Sequence, residues 1–158
     1  METRKIARMG LLVALSMILS YVESLIPAFV AVPGVKVGLA NIVVIFALYT
    51  LGPIEALIVS LLRVILSSFL FGSVLSLLYS LSGALLSLGG MILMKKLKIF
   101  STTVVSVTGG VLHNVGQILV ACLVLETDVL LYYLPVLILS GVITGAVIGI
   151  IASLVIKR

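Results

Sequence analysis

Apolar residues run along this chain in long blocks, and what separates the blocks is proline, glycine and charge. A bilayer hydrocarbon core of about 30 Å takes roughly 20 helical residues, and backbone inside it must satisfy its own hydrogen bonds. Cutting at the interruptions predicts six membrane helices, over about 6–26, 36–51, 53–72, 74–94, 101–125 and 129–156. The second is short. The third opens after Gly52 with Pro53 at its first position and Glu55 in its first turn, which is helix-start chemistry and makes "TLGP" a tight turn. The expectation is an all-α, polytopic membrane protein: one six-helix bundle forming a single transmembrane domain over 1–158.

Composition agrees with that pattern. The 158 residues are 63% hydrophobic and 9% charged, with a mean hydropathy of +1.47, far from a soluble globular chain. A net charge of +5 would suggest nucleic acid in a soluble protein. Here the basic residues mark topology instead, and no nucleic-acid partner is expected. Arg4, Lys5 and Arg8 precede the first helix; Lys95, Lys96 and Lys98 lie between the fourth and fifth; Lys157 and Arg158 follow the sixth. With six spans all eight fall on one side, and the positive-inside rule puts both termini in the cytoplasm. The other side receives the loop "ESLIPAFVAVPGVK", the turn near "FGS" and the acidic "ETD" loop, with Tyr132 and Tyr133 suited to an interfacial aromatic belt. Basic residues before an apolar stretch also open signal peptides, but no small-x-small cleavage site follows, so the first block reads as a span. Cys122 stands alone in an apolar run, which excludes an internal disulfide and a multi-cysteine metal site.

Two basic residues are left over, Lys36 and Arg63. Arg63 falls near the middle of the third span, where a charge costs roughly 2.5–3.5 kcal/mol on insertion scales. Glu55, Ser60 and Ser67 share its helical face, so the arginine is expected to point into the bundle. It serves there either as an internal ion pair or helix clamp, or as an anion contact. The fifth span carries "GGVLHNVGQILVAC", in which His113 and Gln117 stand one turn apart with Asn114 beside them, at the depth of Arg63. A single histidine without nearby cysteine or paired carboxylates supplies too few ligands for a metal. Glu23 ends the first span, Lys36 and Asn41 begin the second, and the loop between them is punctuated by Pro27, Pro33 and Gly34 in the manner of a structured lid.

Glu23, Lys36, Asn41, Arg63, His113, Asn114 and Gln117 therefore map to the outer half or the midplane and form the expected substrate-binding set. Their charge balance favours an anionic or zwitterionic ligand; for Lys36 the alternative is snorkelling to the interface. Small residues spaced by four, Gly141, Gly145 and Gly149 in the sixth span and Ser76, Ser80, Gly83 and Ser87 in the fourth, read as helix-packing ridges. No phosphate loop, aspartate-rich diphosphate motif, GxSxG or HExxH is present. Binding is thus better supported than catalysis, no cofactor is expected in the chain, and uphill transport would draw on a partner or an ion gradient.

The segments "IPAFVAVPGVKVGLANIVVIFALYTLGPIEALIVSLLRVIL", "LYSLSGALLSL", "GGVLHNVGQILVA" and "LLYYLPVLILSGVITG" resemble the family labelled heptaprenyl diphosphate synthase component I, also called the Gx transporter family. That family is similar to the substrate-binding S components of bacterial energy-coupling factor (ECF) transporters. The resemblance implies a six-helix S-component fold in a bacterial plasma membrane and a pocket open to the outside beneath the loop after helix one. It also implies a partner module of one transmembrane scaffold and two ATPases that use ATP. Ala7, Gly10 and Ala14 on the first helix would dock on that scaffold. The alternative is a non-catalytic membrane subunit of a prenyl diphosphate synthase.

Overall fold

The computed structural model describes residues 2–25 and 38–156, and every described element is helical. The helices are α1 (Glu2–Leu25), α2 (Asn41–Thr50), α3 (Pro53–Phe71), α4 (Val74–Leu97), α5 (Thr102–Leu125) and α6 (Leu134–Ile156), with a 3₁₀ turn over Val129–Tyr133 leading into α6. Five of them are long and apolar enough to cross a bilayer. Large apolar side chains such as Leu11, Ile18, Phe69, Leu123 and Leu154 face outward along them. Such a surface suits lipid and would be an aggregation hazard in water. The chain is a multi-pass membrane protein.

Helix ends follow from local chemistry. Ser73 and Ser101 cap α4 and α5, accepting from the N–H groups of Ser76 and Val104 at 3.2 and 3.3 Å. The α2–α3 turn rests on Gly52, whose φ of +124° is open to glycine and strained for other residues. A Cβ there would also lie 2.8 Å from Glu55 Oε2. Pro53 then starts α3, where a missing N–H leaves no bond unmade. α4 continues to Leu97, beyond the expected end at 94, and so carries Lys95 back to the bundle. The Lys95 ammonium donates to the Leu48 carbonyl at 2.6 Å and lies 4.7 Å from the centre of the Tyr49 ring. Lys5 of α1 pairs with Glu55 of α3 at the same end. We call this the basic end.

The second span departs from expectation. Predicted over 36–51, its described part is helical over Asn41–Thr50, 10 residues, with Gly38, Leu39 and Ala40 outside the helix. At 1.5 Å per residue that is about 15 Å, half a bilayer core. Gly38 explains the start: its φ of +76° lies outside the right-handed helical region, and its carbonyl accepts the Asn41 N–H at 2.8 Å as the new helix opens. Lys36 and the expected lid loop lie outside the described residues.

α2 is wedged among α1, α3 and α6, while α1, α3, α4, α5 and α6 are neighbours in that order. Between Asn41 and Thr50 it is apolar on every face, and its residues there are buried or half-buried. Val43, Val44, Ile45, Ala47 and Leu48 form the core with Ala56 and Val59 of α3, Leu88 and Met91 of α4, Val105 of α5 and Ile148 and Ala152 of α6. The expected glycine ridge on α6 is a true seam. Added Cβ atoms on Gly141, Gly145 and Gly149 would come within 2.6–2.9 Å of α5 backbone.

Candidate functional site

Because α2 begins only at Asn41, the apolar plug stops at mid-bundle. Beyond it, α1, α3, α4 and α5 enclose a cavity of about 180 Å³. Arg63 comes from α3, Glu23 from α1 and His113 from α5; Ser20, Ser24, Ser67, Ser68, Ser76 and Ser80 add a wall of hydroxyls. A smaller pocket of about 30 Å³ adjoins it toward α2 and α6 and shares Glu23, Arg63 and His113. Asn41, Asn114 and Thr144 add polar groups to its lining. The two are parts of one polar chamber.

Arg63 is 8% exposed, near the middle of α3. Its Nε is buried without a hydrogen-bond partner among the described residues. Buried polar groups are rarely left in that condition, and an unmet donor on a guanidinium invites an acceptor of matching geometry. Glu23 is the acidic group whose field reaches it. The Glu23 carboxylate also accepts the backbone N–H of Gly38, which ties the end of α1 to the entrance of α2. Ser24 and Ser67 donate to the Tyr21 and Val64 carbonyls at 2.7 and 3.2 Å, leaving their oxygen lone pairs as acceptors. Among the described residues the chamber thus offers one fixed cation, one fixed anion and a mixed field of hydroxyls.

Of the expected binding residues, Glu23, Asn41, Arg63, His113 and Asn114 line this chamber. Asn114 has a structural task as well, its amide donating to the Leu137 carbonyl of α6 at 2.7 Å. Gln117 is placed elsewhere. It lines a separate, largely apolar cleft of about 520 Å³ bounded by α4, α5, the 3₁₀ turn and the start of α6. The backbone of α4 at Gly83 packs directly against His113 and Gln117, so the two side chains part around it. Ala7, Gly10 and Ala14 are exposed on α1, and a Cβ on Gly10 would meet nothing within 4 Å.

Sequence reasoning assigned Ser76 and Ser80 to helix packing. Only half of that ridge packs: Gly83 meets α5 at Gly116 and Ser87 faces Gly109, whereas Ser76 and Ser80 line the cavity. The signal that separates them is nearness to the helix start. Ser73 caps α4 at the bundle mouth, so serines in its first two turns stand where the helices have not yet closed on one another. Among the described residues no three His, Cys, Asp or Glu side chains converge on a metal-sized site.

Residues 12–155 match a family model described as heptaprenyl diphosphate synthase component I. That description denotes one component of a synthase and implies a further component; reading the chain as an accessory subunit, not itself the catalyst, is in line with it. Neither the curated proteins nor the solved structures give a match.

Proposed function

The chain belongs to the heptaprenyl diphosphate synthase component I family, and from that premise we propose that it is a membrane-embedded binding protein. It captures a small anionic or amphiphilic molecule, as the S component of an ECF-type uptake transporter does. One observation carries this reading: Arg63, buried and with an unmet donor, faces a polar chamber inside an otherwise apolar bundle. A charge at that depth is unfavourable unless it meets a partner, and a carboxylate or phosphate head supplies the bidentate acceptor that a guanidinium fits best. His113, Asn41 and the serines orient the head by hydrogen bonds. The basic end, with Lys5 and Lys95, faces the cytoplasm by the positive-inside rule, so the chamber opens toward the outer side. The exposed Ala7, Gly10 and Ala14 face of α1 is available to a transmembrane scaffold, and two ATPases bound to it supply energy.

The family description favours a second reading, a membrane subunit that anchors a prenyl diphosphate synthase. Native mass spectrometry of the complex, taken from its own host in mild detergent, separates the two. A membrane scaffold with two ATPases and a retained small molecule is the expected result. A soluble synthase subunit with no retained ligand would replace the transporter reading by the second. Arg63→Ala is expected to lose the ligand while keeping the melting temperature of the bundle.

A further inference from the structure

The apolar cleft that holds Gln117 adjoins the chamber. Ser76 and Ser80, one helical turn apart on α4, line both. Tyr79 lies between them in sequence and lines the cleft, its hydroxyl buried without a partner among the described residues. Apart from Ser73, Gln117 and Tyr133, the remaining cleft wall is aliphatic: Leu75, Ile118, Ala121, Leu125, Leu130 and Leu137. At about 520 Å³ the cleft has nearly three times the volume of the larger, 180 Å³ part of the chamber. From chamber to cleft the chemistry therefore runs from guanidinium, through the shared hydroxyls, to a mainly hydrocarbon wall.

Accordingly, we infer that the ligand is a single-chain amphiphile with a phosphate-like anionic head at Arg63 and an apolar tail in the cleft between α4, α5 and α6. Ser76, Ser80 and the Tyr79 hydroxyl meet the junction of head and tail. This rests on the capture reading and extends it from a charge to a shape. Charge complementarity sets the direction, because Arg63 lies in the chamber, with Glu23, and among the described residues no charged side chain lines the cleft. Each methylene taken into the cleft should add about fourfold to affinity.

The test uses the full chain in phosphatidylcholine nanodiscs, with native mass spectrometry reading bound probe across an alkyl phosphate series from butyl to dodecyl. Affinity is expected to climb with chain length by at least a hundredfold in total. Ala121→Phe should flatten that climb and lower dodecyl phosphate binding at least tenfold, while Arg63→Ala weakens every member. Partition of probe into the disc is common to all variants and cancels between them. Equal binding of butyl and dodecyl phosphate to the unaltered protein would overturn the tail site and leave the chamber standing; binding of no member would overturn both. Displacement of dodecyl phosphate by phosphatidylglycerol added to the disc would overturn the single-chain ligand in favour of a resident bilayer lipid. Should Ala121→Phe fail to fold, Ala121→Leu, a smaller intrusion into the same cleft, supplies the comparison in which partition cancels, and an undiminished climb in it would overturn the tail site.

Discussion

Toward the basic end, α2 fills the centre of the bundle with Val43, Val44, Ile45, Ala47 and Leu48, all at most 2% exposed. Toward the other end, the surrounding helices α1, α3, α4 and α5 continue without it, and their inward positions carry Arg63, Glu23, His113 and serines. One half is a packed core and the other a chamber, and the length of a single helix separates them. Where an apolar plug is present, close packing holds the bundle together. Where it stops, polar side chains gain room for a guest. Stability and binding should therefore be separable along the axis of the molecule.

The largest expected effect tests the packed half. Leu48→Ala removes a fully buried side chain from the core, with an expected loss of about 3 kcal/mol. A clear fall in melting temperature with ligand stoichiometry unchanged in the surviving folded fraction is the outcome sought; simultaneous loss of the ligand would mean the halves are not independent. Arg63→Ala is the converse, an affinity loss of at least a hundredfold, about 2.7 kcal/mol, with thermal stability retained. Unfolding in place of ligand loss would turn Arg63 into a structural clamp.

Asn114→Ala sharpens the boundary between the halves, since this residue both lines the chamber and bonds the Leu137 carbonyl. About 1 kcal/mol of stability should go with that bond, together with a few-fold drop in affinity. An affinity change with no stability change would assign the amide to the ligand alone. The smallest stability effect belongs to Gly10→Leu. Nothing lies within 4 Å of a Cβ there, so stability should stay within about 0.5 kcal/mol. Copurification of the membrane scaffold should fall, and unchanged recovery of it would remove the α1 face from the docking proposal.

Much of the architecture could be read from residue order. Proline, glycine and charge mark where α3, α4, α5 and α6 begin and end because they act locally, through a fixed φ, a permitted positive φ or the cost of burial in hydrocarbon. The mid-span position of Arg63 was equally legible, since depth follows from counting along a helix. The short α2 was not. Gly38 reads as an ordinary small residue until its φ of +76° is known, and "VGLANIVV" carries no proline or charge that would stop a helix.

The sequence by itself determined that this protein lives in a membrane, where its five long apolar helices lie, and that Arg63 needs a polar partner. Those properties depend on hydropathy, local backbone preference and charge. Only the tertiary structure decided that Ser76 and Ser80 leave the packing ridge for the cavity wall, that Gln117 parts from His113 around Gly83, and that chamber and cleft share a wall. Each of these turns on how close two helices approach at a given depth. That distance is set by the side chains of both helices together and is written in neither segment alone.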